Sequence, residues 1–357
     1  MEPDPPNKSW SPARIARISG MSLVLLGAFV AIFRAGSLPL LPPPGALDRL
    51  NISWLLLAAL SLELSILLKY ARYHFLVAPL AQISFGKILN IGSIAGALIL
   101  ILPLRLGEFS RPALLREKGK VSGWNITGTV AAERLVDGVL FGFTLLAGLA
   151  IARPQEPLPD RIGNLAVPVA LVPKAAQAAT VLFGGALLVM ALLLWKQKWV
   201  ERFIHLTVGR LNARWGEVLA HMSARLVEGA RFLPKPGLAL PYLFLSWLHV
   251  ATHGLALVWG ARAVGFELSF IESMTVTGVL ALGFALPNAP GFFGAIQLAL
   301  YAGMGLYVDP NVVVREGAAV TFFFYVGFVG FVLLNALIAA AIEYGPWSRA
   351  RAARAVG

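Results

Sequence analysis

Long apolar segments separated by short basic ones constrain the fold of this chain more than any other feature of its sequence. A helix needs about 20 mostly apolar residues to cross the ~30 Å hydrocarbon core of a bilayer. Only 13% of the residues are charged, whereas soluble domains carry about 25%, so too little polar surface remains for a water-soluble globule. The sequence therefore predicts an all-α integral membrane protein. Its clearest spans cover residues 52–68, 127–152, 177–195, 240–264 and 320–342.

The first apolar run, residues 18–33, follows basic residues and resembles the core of a cleaved signal peptide. No small-x-small cleavage pattern precedes Arg34, and further apolar runs follow. We therefore interpret this run as a retained first transmembrane helix, which brings the number of predicted crossings to six. The predicted organisation is a cytoplasmic segment 1–17, a single membrane domain 18–342 and a basic cytoplasmic tail 343–357.

Two further apolar stretches, residues 88–104 and 276–306, contain helix breakers. The breakers are Gly92, Gly96 and Pro103 in the first stretch and Pro287, Pro290, Gly291 and Gly294 in the second. Because basic residues favour the cytoplasmic side, we expect the first stretch to enter and leave from the cytoplasm and the second from the outer face. The prediction is six full crossings plus two re-entrant hairpins of opposite orientation, as in an inverted repeat. Ordinary kinked helices remain the alternative.

The basic region at about 196–238 is predicted to be cytoplasmic. Its aromatic and aliphatic residues recur mostly at spacings of three and four, with arginines between them. This pattern indicates amphipathic helices on the bilayer surface. A connecting helix packed on the protein itself is the alternative.

Composition and motifs exclude several classes of function. The net charge of +12 comes from residues beside apolar runs, which indicates membrane topology and attraction to anionic headgroups rather than nucleic-acid binding. The chain has no cysteine and no phosphate-binding loop, dinucleotide fingerprint or serine nucleophile elbow. We predict no cofactor. We also predict no metal site, because the pair His249 and His253 has no evident third ligand.

The first segment that contains candidate functional residues is 103–111, where Arg105, Glu108 and Arg111 are spaced three apart. If this turn is helical, the three side chains lie close to one face. Two arginines can grip a phosphate with forked hydrogen bonds while the glutamate orients them. The alternative is an interfacial anchor with a surface ion pair.

The second segment places Glu133, Arg134 and Asp137 in the span 127–152. Two acids four residues apart share a helix face and need a cation or a proton at membrane depth. Arg105 or Arg111 can supply the cation if the hairpin packs here. A ligand-binding role and a structural ion-pair network are equally weighted.

The third segment is the break of the outer hairpin, with Asn288, Gly291, Gly294 and Gln297. Backbone amides freed near the two glycines can face an anion at a helix N-terminus. Gln297 lies early in the half-helix that follows. The alternative is a plain proline kink.

Together, the segments RLGEFSR at 105–111, ERLVD at 133–137 and PNAPGFFGAIQ at 287–297 carry a resemblance. The chain resembles the lysylphosphatidylglycerol synthase transmembrane family, also called the flippase-like domain family. Such proteins are similar to the membrane half of bacterial enzymes that attach lysine to phosphatidylglycerol and pass the product across the membrane. The resemblance implies a lipid-translocating module in a bacterial or archaeal cell (inner) membrane, with both termini cytoplasmic.

By motif position, the resemblance implies substrate roles for Arg105, Glu108, Arg111, Glu133, Arg134 and Asp137. Gln297 departs from the glutamate expected after the glycine-rich break, which weakens a role for this position in proton or amine binding. No soluble aminoacyl-transferring domain is present in this sequence, so synthase activity is not carried over.

The predicted function is a flippase-like transporter that moves a phospholipid or another lipid-linked anion between leaflets. An integral-membrane enzyme or accessory protein of lipid-linked biosynthesis is one alternative, and an ion-coupled carrier of a small solute is another. Membrane lipids with anionic headgroups are the predicted partners. A homo-oligomer and a biosynthetic partner enzyme both stay open.

Overall fold

A computed structural model of the chain describes residues 12–102, 107–119, 123–166, 169–285 and 289–345. Within these ranges the named regular elements are all helical, which confirms the predicted all-α class. The α-helices are α1 Pro12–Ala35, α2 Ile52–Ala71, α3 Tyr73–Val77, α4 Phe85–Ile101, α5 Ser110–Gly119, α6 Gly123–Ile151, α7 Val172–Leu206, α8 Val208–Leu211, α9 Ala213–Gly229, α10 Pro236–Val264, α11 Phe270–Ala285, α12 Ala295–Met304 and α13 Pro310–Tyr344. Short 3-10 turns occupy Val169–Leu171 and Pro290–Phe292.

Five segments of the described chain are long and apolar enough to cross a membrane. They are α2 continued by α3, together with α6, α7, α10 and α13. Their burial differs strongly: 61% of the most apolar window of α10 is buried, against 11% of that of α7. The high burial of α10 places it at the centre of the bundle, and the low burial of α7 places it at the edge. Lipid solvates apolar side chains as well as a protein core does, so the exposed apolar side chains of α7 are suited to contact with lipid.

Helices α2 and α10 form a long packed pair that supports the interior. Asn51 caps α2 by accepting hydrogen bonds from the amides of Ser53 and Trp54 at 3.0 and 3.3 Å. The Asn51 amide in turn donates to the Ala263 carbonyl at 2.8 Å. Helix α10 ends at Gly265, which adopts φ +96° as helix-terminating glycines commonly do. The start of α2 is therefore fixed to the end of α10.

The two broken stretches form helical pairs, in which α5 packs on α4 and α12 packs on α11. Helices α5 and α12 have 10 residues each, or about 15 Å, which is too short to cross the bilayer core. The turn Pro290–Phe292 contacts α4, so the two pairs meet inside the protein. The face from which each pair enters the bilayer stays a prediction.

The basic region predicted at about 196–238 begins within helix α7, which continues from a membrane span. Helix α7 extends past the predicted end of its span to Leu206, with non-helical backbone at Lys196 (φ −131°, ψ 44°). Helix α9 packs on α6 and α7 and leaves Trp215 and Val218 exposed. One face of α9 is thus covered by protein, and the location of the other face on a bilayer stays a prediction.

Candidate functional site

A cavity of about 370 Å³ lies at the centre of the described helices. Helices α2, α4, α6, α7, α10, α11 and α13 all contribute to its walls. Its charged lining residues are Lys69, Glu108, Arg111, Arg134 and Asp137. Its apolar walls include Ile99, Leu100, Leu145, Leu280, Leu282, Phe284, Phe292, Phe328 and Val332. The cavity is therefore amphipathic, with a charged group of residues beside an apolar space.

Arg72 organises the charged region, although its side chain is only 1% exposed. Its Nη1 and Nη2 atoms donate to the two carboxylate oxygens of Asp137 at 2.5 and 2.7 Å, a forked ion pair. Nη2 also donates to Glu133 at 3.1 Å, and Nη1 donates to the Ser246 hydroxyl at 2.8 Å. One guanidinium, at the junction of α2 and α3, thus joins this junction to α6 and α10.

Glu133 bridges Arg72 to a second buried arginine. The side chain of Glu133 is 0% exposed, and its Oε2 accepts a hydrogen bond from Arg111 Nη1 at 2.5 Å. The Arg111 guanidinium carbon lies 4.2 Å from the centroid of the Tyr73 ring, a cation–π geometry. The Tyr73 hydroxyl is 3.1 Å from that of Thr129. The predicted contact of the first hairpin with the acidic face of α6 is therefore present through Arg111.

The four innermost charges balance among themselves. Arg72 and Arg111 carry two positive charges, and Glu133 and Asp137 carry two negative ones. Buried ions are tolerated when each is paired and hydrogen-bonded, and these pairs connect α2, α5 and α6. This geometry gives the network the structural role that was one of the two interpretations of the second segment. Arg111 and Asp137 also line the cavity, so their predicted part in ligand binding stays a prediction.

The remaining charged lining residues are more accessible. Arg134 Nε and Glu108 Oε1 are 3.9 Å apart, with side chains 31% and 23% exposed. Arg134 therefore faces Glu108 rather than its helix neighbour Asp137. Lys69 makes no ion pair or hydrogen bond within the part of the chain that the structure describes. Its ammonium is a cation that a ligand in the cavity can meet.

The described lining charges have an excess of positive charge. Lys69, Arg111 and Arg134 face two carboxylates, those of Glu108 and Asp137, which leaves a formal charge of +1. A low-dielectric cavity with this excess favours one negative charge in its ligand. A phosphodiester carries that charge.

Sequence reasoning missed Lys69 and Arg72 as site residues. The apolar run of α2 ends at Leu68, and the preference of basic residues for the cytoplasmic side, taken alone, places these two cations at the cytoplasmic surface. The helical segment instead continues to Val77 and takes both residues into the bundle. Their spacing of three residues, on one helix face directly after an apolar run, was the available signal.

In the third segment, the described contacts shape the backbone and cap a helix. Gly291 and Gly294 have φ values of +75° and +85°, which favour glycine. The Gly294 amide donates to Gln297 Oε1 at 2.8 Å and so caps α12. In the described part of this segment, Phe292 lines the cavity, and the predicted ligand role of Gly291, Gly294 and Gln297 stays a prediction.

Two predicted site residues, Arg105 and Asn288, lie outside the residues that the structure describes. In the sequence, Arg105 falls between α4 and α5, and Asn288 falls between α11 and α12. Their expected roles follow from the sequence alone.

Comparison with known proteins identifies one family. The family model described as "Lysylphosphatidylglycerol synthase TM region" matches residues 21–337, which is most of the chain. The matched range contains every residue that lines the cavity. No curated protein and no solved structure matches the chain significantly.

Proposed function

Because the chain belongs to the lysylphosphatidylglycerol synthase TM region family, we propose that it is a flippase-like protein that moves a phospholipid or another lipid-linked anion between leaflets. The observation that carries this proposal is the central cavity, where an excess positive charge lies beside apolar walls. A phospholipid has the matching division between an anionic headgroup and apolar chains.

The headgroup phosphate binds at Lys69, Arg111 and Arg134. Lys69 is the cation of this group without a carboxylate partner in the described chain. Arg111 is fixed in place by Glu133, and Arg134 is loosely held by Glu108 at 3.9 Å. Pre-positioned cations lower the cost of taking a phosphate out of water.

The acyl chains stay largely outside the cavity. A volume of about 370 Å³ is near the lower limit of small-ligand sites and fits a headgroup rather than two acyl chains. Movement of the headgroup past the meeting point of α4 and the Pro290–Phe292 turn would transfer it between leaflets while the chains follow in lipid. Broken helices at membrane depth commonly form such sites in transporters.

The geometry favours transport over the enzymatic alternative. An acid or base for catalysis would come from Glu108, Glu133 or Asp137. Glu133 and Asp137 are both held by arginines, so neither is available to exchange protons with a substrate. Of the three carboxylates, Glu108 is left as the candidate acid or base, and it faces Arg134 at 3.9 Å. The pairing of Glu133 and Asp137 with arginines supports a binding and translocating role for the cavity.

The test is transbilayer movement of labelled anionic and zwitterionic phospholipids in sealed vesicles that contain the purified chain. We expect movement of the anionic lipid, slowed at least tenfold by Lys69→Met, which removes the unpaired cation. Lys198→Met is the matched control, because Lys198 is exposed on α7 away from the cavity.

Three outcomes contradict the proposal. Folded wild-type protein that moves no lipid and forms a lipid product would establish the enzyme. Uptake of a small solute without lipid movement would establish the carrier. Equal loss of movement in both lysine variants would overturn the placement of the headgroup phosphate at Lys69.

A further inference from the structure

A carboxyl group and an amide meet between two membrane spans, away from the central cavity. Glu63 on α2 and Asn335 on α13 are both partly buried, and neither is among the residues that line the cavity. Asn335 Nδ2 donates to Glu63 Oε1 at 3.0 Å and to Oε2 at 3.2 Å. Both carboxyl oxygens of Glu63 therefore share a single amide nitrogen as their hydrogen-bond donor.

The pair lies at membrane depth on both helices. Glu63 comes five residues before the end of the apolar span 52–68, and Asn335 comes seven residues before the end of the span 320–342. At the rise of an α-helix, these positions lie about 8 and 10 Å inside the ends of their spans. Two separate spans thus give similar depths, which place the pair in the hydrocarbon core of the bilayer rather than at its boundary.

The molecular surface around the pair is apolar. Leu60 and Leu64 lie beside Glu63 on α2, and Leu334 and Ile338 lie beside Asn335 on α13; all four are exposed. Lipid solvates exposed apolar side chains well. The contact between α2 and α13 therefore opens toward the acyl chains, and Glu63 is accessible from lipid.

Glu63 has no cation that would balance a negative charge. Within the described ranges it makes no ion pair, and its hydrogen-bond partner is the neutral amide of Asn335. Glu133 and Asp137, in contrast, are each held by an arginine. An ionised carboxylate without a counter-ion is costly in hydrocarbon. A neutral carboxyl group avoids that cost and still accepts a hydrogen bond from Asn335.

The titratable groups of the helices that pack against α2 do not supply the missing cation. Tyr70 interacts electrostatically with Glu63, but a phenol is uncharged near neutral pH. The other titratable groups in the described parts of these helices have different neighbours or lie near helix ends: Lys69, His249 and His253 line the cavity, Tyr242 lies beside Arg72, Tyr325 lies beside Phe293, Glu343 accepts a hydrogen bond from Asn90, and Lys87 lies in the first turn of α4. A bound proton is therefore what neutralises Glu63.

We propose that Glu63 is a proton-binding site that faces lipid, and that release of its proton couples lipid movement to a proton gradient. The proton site depends only on Glu63 and its surroundings, whereas the coupling rests on the proposed function. A deprotonated Glu63 is a charge that α2 must carry toward water. Because α2 also carries Lys69, six residues further along, on the cavity wall, a displacement of α2 links the charge of Glu63 to the cavity.

The first experiment treats the purified full-length chain in lipid vesicles with dicyclohexylcarbodiimide, an apolar reagent that modifies protonated carboxyl groups from the lipid phase. The carboxyl proton moves to a nitrogen of the reagent and a carboxyl oxygen adds to its central carbon, so no group leaves. Glu343 is the matched control, because it also accepts a hydrogen bond from an asparagine amide, that of Asn90 at 3.1 Å, but lies at the end of α13.

We expect mass spectrometry to find at least about tenfold more adduct at Glu63 than at Glu343 at pH 7, because an ordinary glutamate is almost fully ionised there. The yield at Glu63 should fall as the pH rises, since the reaction needs the carboxyl proton.

The second experiment tests the coupling with a labelled anionic phospholipid in sealed vesicles that have a pH difference of one unit and no membrane potential. Exchange of one proton per lipid predicts enrichment of the lipid in one leaflet by up to about tenfold, the ratio that balances one pH unit. Glu63→Gln keeps a neutral side chain that bonds to Asn335, so lipid should still move but distribute equally. The control Glu343→Gln should keep the enrichment.

The two experiments separate the ways in which the inference can fail. No adduct at Glu63, or a yield that does not change with pH, would overturn the proton site, and this result needs no variant. An equal lipid distribution in wild type that moves lipid, or enrichment that persists in Glu63→Gln, would overturn the coupling and leave the pair as a bond between α2 and α13. Folded wild type that forms the adduct but moves no lipid would refute the proposed function instead.

Discussion

The forked ion pair between Arg72 and Asp137 should be among the strongest pairwise couplings in the protein. Arg72 makes two short hydrogen bonds to Asp137, against one to Glu133 and one to Ser246. Removing one partner of a buried pair typically costs about 3–5 kcal/mol, because the other charge stays buried. We expect Arg72→Met and Asp137→Leu each to reduce the free energy of unfolding by that amount.

The double variant should be much less destabilised than the sum of the single ones. Once both charges are removed, Arg111 and Glu133 still balance each other. Replacement of a whole buried pair by apolar residues is often close to neutral, so the coupling energy should be about 3 kcal/mol or more. Equilibrium unfolding in mixed micelles, followed by helical circular dichroism against denaturing detergent, measures all four proteins.

An exposed pair provides the control. Glu228 and Arg231 are 3.7 Å apart with side chains 30% and 58% exposed, and such pairs couple by less than about 1 kcal/mol. A coupling between Arg72 and Asp137 below about 0.5 kcal/mol would refute the reasoning, because it would mean that the two side chains do not depend on each other.

Two further predictions concern packing and topology. Gly96→Ala should reduce the free energy of unfolding by about 1–3 kcal/mol, because the added Cβ would overlap the side chain of the buried Tyr70. At Gly184 an added Cβ would meet no atom of another element within 4 Å in the described chain, so Gly184→Ala should be neutral or stabilise α7 by up to about 1 kcal/mol. The reverse order of the two variants would contradict the packing. The chain has no cysteine, so Asp160→Cys and Thr207→Cys at exposed positions report topology cleanly. An impermeant thiol reagent should reach position 207 from the cytoplasmic side and position 160 from the outer side, and labelling of both from one side would overturn the predicted crossings.

Much of the fold was predictable because its causes are local. The length of an apolar run determines whether a helix can span the bilayer, and glycine and proline determine where a helix breaks. The sequence thus indicated the long spans and the breaks near Pro103 and Pro290. It also suggested that Arg105 or Arg111 meets the acidic face of α6, because an unpaired carboxylate at membrane depth needs a cation.

The partners within the site were decided by tertiary structure. Asp137 pairs with Arg72, 65 positions away, and Ser65 holds histidines 184 and 188 positions further along the chain. Spacing along one helix gives no information about which face of a distant helix packs against it.

Lys69 shows most clearly which properties follow from the sequence and which follow from the tertiary structure. Its position directly after an apolar run follows from the sequence alone, and that position predicts a cation at the surface. Only the packing of α2 against α10 and of α3 against α6 turns it into a cavity residue without a partner in the described chain. Local sequence determined which segments are helices and where they break, whereas the burial and pairing of each charge depended on contacts between helices far apart in the chain.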